Sequence, residues 1–122
     1  MSRGVVLVSH TKEIPLGLKN LIAQVAKDVP VTTAGGLADG GIGTSMERIL
    51  QAFKENPADE LLAFYDLGSA KMNLEMAIEM TDKKVKLFDT ALVEGAYTAA
   101  ALLQAQAKEA EIEAQLKPLV IK

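Results

Sequence analysis

Short apolar runs and longer helical patterns alternate along the chain. The apolar runs cover residues 5–8, 29–33, 60–66 and 85–88, and polar or turn-forming residues bound each of them. Such continuous runs are typical of strands that are buried on both faces of a parallel sheet. Between them, apolar residues recur every three or four positions, as they do in amphipathic helices. The alternation predicts an α/β fold in which helices cover both faces of the sheet.

Capping and turn-forming residues mark the limits of the first two predicted helices. The first spans residues 12–27, and Asp28 and Pro30 mark its end. The second begins at a capping box, in which Thr44 and Glu47 each accept a backbone N–H from the other, and it stops at residues 56–57. The apolar positions that repeat along the first helix are Ile14, Leu18, Leu21, Ile22 and Val25.

The third helix follows a turn at residues 67–70 and carries Met72, Met76 and Met80 on one stripe. Methionine is a flexible apolar side chain that commonly fills gaps in cores, so we interpret this stripe as core rather than as a partner groove. After the fourth strand, an alanine-rich helical segment runs to about residue 117, with a break near Lys108.

The order of the strands decides which residues meet. Right-handed crossovers leave few possible orders, and the order 2-1-3-4 places strands 1 and 3 side by side. His10, the only histidine, follows strand 1, and Asp66 ends strand 3. Open α/β sheets bind ligands at the carboxyl ends of such strands. We therefore predict one three-layer domain over residues 1–122, with His10 beside Asp66.

His10 and Asp66 together favour nucleophilic chemistry, although each alone could simply cap a helix. A carboxylate bonded to one ring nitrogen fixes the histidine tautomer and leaves the other nitrogen free to attack. Two glycine-containing helix starts could hold an anion on their N–H groups, or could be ordinary turns. Neither has the lysine of a P-loop. The candidate phosphate-binding residues are Gly68, Ser69 and Ala70 at one start and Thr44 and Ser45 at the other.

Composition narrows the function classes. No cysteine is present and the single histidine has no HExxH context, so we expect no disulfide, thiolate chemistry or bound metal. A formal net charge of −3 argues against a nucleic-acid partner. No apolar run approaches the roughly 20 residues of a membrane span, and no signal sequence is evident, so we expect a cytoplasmic protein.

Five short motifs, spread over most of the chain, resemble those of the mannose-type enzyme IIA family of the bacterial sugar phosphotransferase system. Within that family they are most similar to the phosphotransfer subunits of dihydroxyacetone kinases that use phosphoenolpyruvate. Each motif alone is short, but the five occur in the family's order. They are VLVSH at 6–10, AGG at 34–36, IGTS at 42–45, DLGSA at 66–70 and LVEG at 92–95.

The resemblance implies a specific role for this chain. His10 corresponds to the family's histidine, which accepts a phosphoryl group from the phosphohistidine of the carrier protein HPr. The group then passes to ADP held with Mg²⁺ on the partner subunit DhaL, and DhaK completes transfer to dihydroxyacetone. Asp66 would orient His10. The resemblance also implies a homodimer without a cofactor or metal on this subunit.

Three other interpretations remain open from the sequence. The chain could be the enzyme IIA subunit of a mannose-type sugar transporter, which shares the fold. It could be a receiver-like domain phosphorylated on Asp66, but such domains bind magnesium with acidic residues after strand 1, where this chain has Ser9, His10 and Thr11. A non-catalytic dimeric scaffold would leave the pairing of His10 with Asp66 unexplained.

Overall fold

The structure is a computed structural model that describes residues 2–122. In this part of the chain, strands and helices alternate as the hydrophobic pattern predicts. The strands are β1 (Arg3–Ser9), β2 (Val31–Gly35), β3 (Glu60–Tyr65) and β4 (Lys84–Leu87). The helices are α1 (Glu13–Ala23), α2 (Met46–Glu55), α3 (Lys71–Met80), α4 (Leu92–Gln104) and α5 (Glu109–Leu116). Two 3₁₀ turns lie at Gly68–Ala70 and Lys117–Leu119.

The four strands form one parallel sheet in the order β2-β1-β3-β4, which confirms the predicted order. Successive side chains of a strand point to opposite faces, so β1 contributes to two separate cores. Val5 and Leu7 pack on one face, whereas Val6 and Val8 pack on the other, and all four are fully buried. Helices α1, α4 and α5 cover the first face, and α2 and α3 cover the second. The predicted three-layer arrangement is therefore confirmed.

Two predicted elements have boundaries that differ from the prediction by a few residues. Strand β2 begins after Pro30, which has no N–H to donate to the sheet, and it extends to Gly35 opposite Ser9. Helix α1 ends at Ala23 instead of residue 27, because the next two N–H groups turn back to carbonyls only three residues earlier.

The buried face of α1 also differs from the predicted stripe. Pro15, Leu18 and Ile22 are buried, whereas Ile14 and Leu21 are nearly half exposed. Apolar residues occupy more than one side of this helix. Periodicity alone therefore could not identify which side packs against the sheet.

The methionine stripe of α3 lies on the surface, so its interpretation as core was wrong. Met72 is 70% exposed, Met76 is 40% exposed and Met80 is 63% exposed. Leu74 and Ala77 face the core instead. Because α3 packs on the sheet with these smaller residues, its methionines are available to other molecules.

The alanine-rich segment divides into α4 and α5, which confirms the predicted break near Lys108. Gln106 adopts a left-handed conformation (φ 60°) between the two helices, and Lys108 is the extended residue from which α5 starts. Within residues 2–122, no helix combines the length and the hydropathy that crossing a bilayer requires.

Two glycines of the sequence motifs are required by close packing. A Cβ on Gly35 would clash with the backbone of Thr11, and a Cβ on Gly95 would clash with the Thr90 side chain. Gly35 thus lets the end of β2 approach the loop that follows β1. This loop carries His10.

Candidate functional site

His10 and Asp66 meet at the carboxyl edge of the sheet, where the topology predicts them. Strands β1 and β3 are neighbours, and the Asp66 N–H continues their pairing by donating to the Val8 carbonyl at 3.1 Å. The His10 Nδ1 atom lies 2.9 Å from Asp66 Oδ1. Both side chains are mostly buried, with 16% of the His10 side chain and 12% of the Asp66 side chain exposed.

The Asp66 carboxylate accepts hydrogen bonds from four donors. Oδ2 accepts from the Ser9 hydroxyl at 2.8 Å and from the His10 backbone N–H at 2.9 Å. Oδ1 accepts from the Leu67 N–H at 2.7 Å as well as from the His10 ring. Burial raises the pKa of Asp66, but the bonds from His10, Ser9 and Leu67 outweigh it and hold this pKa below its ordinary value. The carboxylate is therefore ionised and acts only as an acceptor.

An acceptor-only carboxylate beside Nδ1 assigns the histidine tautomer. Nδ1 carries the proton that it donates to Asp66, so Nε2 carries the lone pair. The Ser69 hydroxyl lies 2.7 Å from Nε2 and donates to it in this tautomer. Nε2 thus faces the turn at Gly68–Ala70.

The Gly68–Ala70 turn provides fewer free N–H groups than the sequence predicts. The Ala70 N–H donates to the Leu67 carbonyl at 2.9 Å, which closes the 3₁₀ turn, and Ala70 is fully buried. The first N–H groups of a helix have no partner within it, which leaves those of Gly68 and Ser69 as the candidate donors to an anion. The N–H of Ala70, which the sequence analysis also names, already has a partner within the turn.

Thr44 and Ser45 lie in the loop that joins β2 to α2, but their side chains have structural partners. Ser45, rather than the predicted Thr44, caps α2 by accepting the Arg48 N–H at 3.4 Å. The Thr44 hydroxyl accepts from the Asn73 side chain of α3 at 2.8 Å. The loop that joins β2 to α2 also contacts the loop that carries His10, because the Gly43 N–H donates to the His10 carbonyl at 2.9 Å.

Three contributors to the site have no clear signal in the sequence. Ser9 reads as the end of a strand, yet its buried hydroxyl bonds Asp66. The Asn73 side chain of α3 donates to Thr44 in the loop that joins β2 to α2. A single asparagine within a helix does not predict such a contact. The Lys122 ammonium donates to the Tyr65 and Asp66 carbonyls at 2.6 and 3.0 Å. These residues are 57 and 56 positions away in the sequence, so no local pattern could predict the contact.

Three exposed apolar side chains belong to the segments that carry the site. Leu67 follows Asp66 directly, Met72 lies one helical turn after Ser69, and Ile42 precedes Gly43 in the adjoining loop. We call these three residues the apolar rim. They are 59%, 70% and 72% exposed, respectively. Among residues 2–122, no group of three or more His, Cys, Asp or Glu side chains is arranged to hold a metal ion.

Comparisons with known proteins give a consistent result. The model of the family described as PTS system fructose IIA component matches residues 4–113. The chain is 53% identical over 121 residues to the PTS-dependent dihydroxyacetone kinase, phosphotransferase subunit DhaM, of Lactococcus lactis subsp. lactis (strain IL1403), covering 99% of this chain and 98% of that protein.

A second relative and a solved structure extend this similarity. The chain is 45% identical over 119 residues to the PEP-dependent dihydroxyacetone kinase 1, phosphoryl donor subunit DhaM, of Listeria innocua serovar 6a, covering 98% of this chain and 96% of that protein. A crystal structure of EF1359, a protein of unknown function, superimposes with a TM-score of 0.87 at 31% identity. That match covers 100% of this chain and 98% of the other.

Proposed function

From the premise that this chain belongs to the family of PTS system fructose IIA components, we propose that it is the phosphoryl donor subunit of a phosphoenolpyruvate-dependent dihydroxyacetone kinase. The family and its dihydroxyacetone kinase branch are those that the sequence motifs indicate, and the relatives confirm them. One observation carries the proposed chemistry of this chain. The Asp66 carboxylate holds His10 Nδ1 at 2.9 Å and leaves Nε2 as the nucleophile.

The first half of the proposed reaction loads His10. The Nε2 lone pair attacks the phosphorus of a phosphohistidine on HPr, the new N–P bond forms, and the N–P bond to the donor imidazole breaks. The proton on Nδ1 stays in place, because the ionised Asp66 carboxylate stabilises the positive charge that the ring gains. Positioning and electrostatics of this kind supply most of the catalysis in phosphoryl transfer.

Ser69 must change its hydrogen bond during loading. Its hydroxyl occupies the lone pair of Nε2 at 2.7 Å, so an incoming phosphorus atom displaces it. The displaced hydroxyl remains beside the new phosphoryl group and can donate to one of its oxygens. The N–H groups of Gly68 and Ser69 would then supply further donors at the same turn, with Thr44 and Ser45 as more distant candidates.

The second half of the reaction unloads His10. An oxygen of the β-phosphate of ADP, held with Mg²⁺ on a DhaL subunit, attacks the phosphorus, and His10 Nε2 leaves with its lone pair restored. This chain needs no metal or cofactor of its own for either half. We also propose that the subunit is a cytoplasmic homodimer, which the resemblance to the family supports.

Transfer between proteins requires a surface on which each partner docks, and the apolar rim fits this need. Ile42, Leu67 and Met72 are exposed, and each belongs to a segment that contributes residues to the site. Exposed apolar side chains that cluster beside a reactive group are typical of protein interaction sites. The same rim would serve HPr and DhaL in turn.

Incubation of the untagged protein with phosphorylated HPr tests the proposed chemistry. We expect one phosphoryl group on His10, which is stable in base and labile in acid, and which addition of DhaL with ADP removes as ATP. Peptide mass spectrometry locates the label. Phosphate on Asp66, or no label from a donor that phosphorylates another acceptor, would contradict the proposal.

Substitution of Met72 tests the docking role of the apolar rim, and α3 provides its own control. Met72 lies at the site end of the helix, whereas the similarly exposed Met80 lies at the opposite edge of the sheet. We expect Met72→Ser to raise the KM for HPr or DhaL roughly fivefold, because about 1 kcal/mol of apolar burial is lost. Met80→Ser should leave KM unchanged. Equal effects of the two substitutions would exclude Met72 from docking.

A further inference from the structure

The segment formed by residues 119–122 is fixed against the loop that follows β4. The Ala91 N–H donates to the Leu119 carbonyl at 2.9 Å, and Val120 forms an antiparallel bridge with Thr90. The N–H groups of the next two residues both donate to the Asp89 carbonyl, at 3.1 and 3.3 Å. We call residues 119–122 the closing segment. These backbone hydrogen bonds fix the position of the backbone that carries the Lys122 side chain.

That side chain, Lys122, reaches the carboxyl end of β3. Its ammonium donates to the Tyr65 carbonyl at 2.6 Å and to the Asp66 carbonyl at 3.0 Å, and it lies 4.3 Å from the centre of the Tyr65 ring. The pairing of β3 with β4 involves Glu60 to Ala63 only. Lys122 therefore binds the part of β3 that extends beyond β4.

A single peptide group connects this ammonium to the site. The Asp66 carbonyl and the Leu67 N–H belong to the same peptide, and that N–H donates to Asp66 Oδ1 at 2.7 Å. Oδ1 is the oxygen that accepts the His10 ring proton. A cation on the carbonyl polarises the peptide and strengthens its N–H as a donor. It also restricts rotation of the peptide that carries the Asp66 side chain.

We propose that Lys122 is a positioning residue for phosphoryl transfer, which acts through the Asp66–Leu67 peptide to hold Asp66 Oδ1 in line with His10 Nδ1. The reaction in this inference rests on the proposed function, but the alignment of Asp66 with His10 does not. Burial holds the pKa of Lys122 below its ordinary value, although the nearby Asp66 and Asp89 carboxylates raise it in part. The residue is exposed, and the two carbonyls of Tyr65 and Asp66 hold its ammonium in place.

Three variants separate positioning from general stability. Lys122→Met removes the charge and keeps the length of the side chain, Lys122→Arg keeps the charge and the donors, and Lys117→Met makes the same charge change at an exposed position nearby. Because His10 is the only histidine, ¹⁵N NMR of the untagged protein reports its tautomer without overlap. Single-turnover transfer from phosphorylated HPr reports the rate.

We expect Lys122→Met to increase the population of His10 rings that carry their proton on Nε2 and to slow the transfer step about tenfold without changing KM, since small misplacements of reacting groups cost up to about 10²-fold. Lys122→Arg should restore both quantities, and Lys117→Met should change neither. An unchanged tautomer in Lys122→Met overturns the inference. If the parent protein accepts no phosphate, the proposed function fails, and the NMR result still decides the role of Lys122.

Discussion

Replacement of His10 by glutamine is expected to abolish phosphoryl transfer while the fold persists. Glutamine is polar and similar in length, but its amide has no lone pair that can attack phosphorus. The His10 side chain belongs to neither core cluster, so the packing of the sheet does not depend on it. The substitution therefore removes the proposed nucleophile and little else.

Labelling from phosphorylated HPr measures this loss, and circular dichroism with thermal unfolding measures the fold. We expect no label above background in His10→Gln and an unfolding temperature within a few degrees of the parent protein. A variant that still accepts an acid-labile phosphoryl group would show that another residue is the acceptor. A variant that unfolds would show instead that the histidine has a structural role.

Replacement of Asp66 by asparagine should slow transfer on the order of 10²-fold without abolishing it. The amide has the shape of the carboxylate but no charge, so it no longer stabilises the ring charge that develops on His10, and it no longer enforces one tautomer. Its NH₂ group also replaces one of the two oxygens that accept four hydrogen bonds. Asp59→Asn, which makes the same charge change on an exposed side chain, should leave the rate unchanged.

The Asp66→Asn substitution should also change how the free energy of unfolding depends on pH. The four bonds hold the pKa of Asp66 in the folded protein below its usual 3.8. The carboxylate therefore stabilises the fold above that value, and this contribution is lost as the pH falls through the lowered pKa. At pH 7, Asp66→Asn should reduce the free energy of unfolding by about 1–3 kcal/mol. Urea unfolding should show this deficit shrinking as the pH falls below 3.8 and through the lowered pKa of Asp66. A deficit that stays constant with pH would mean that the charge of Asp66 is not involved.

The fold and the meeting of His10 with Asp66 could be predicted because each depends on strong, local signals. Buried parallel strands read as unbroken apolar runs, and their alternation with helical patterns restricts the topology to few orders. Once β1 and β3 are neighbours, residues that follow them share one edge of the sheet. The family motifs then indicated the chemistry.

The details around this pair could not be predicted, because they depend on tertiary packing. Apolar stripes on α1 and α3 have the same period whether they face the sheet or solvent, and the smaller Leu74 and Ala77 proved to be the buried residues of α3. The N–H of Ala70 is used within its own turn, which depends on backbone geometry. Lys122 reaches Asp66 across a sequence separation of 56 residues.

The burial of residues 5–8 of β1 limits how a phosphorylated form of this protein could differ from the free form. Val5, Val6, Leu7 and Val8 lie between two cores, and backbone segments of this kind open last in local unfolding. The proposed phosphoryl acceptor therefore follows a rigid strand, and we expect its phosphorylation to leave the sheet unchanged. Donor and acceptor must then distinguish the empty from the loaded form by its surface. Under the proposed function, a dianionic group would appear beside segments that expose Ile42, Leu67 and Met72. The change in local charge would then be the difference that each partner recognises.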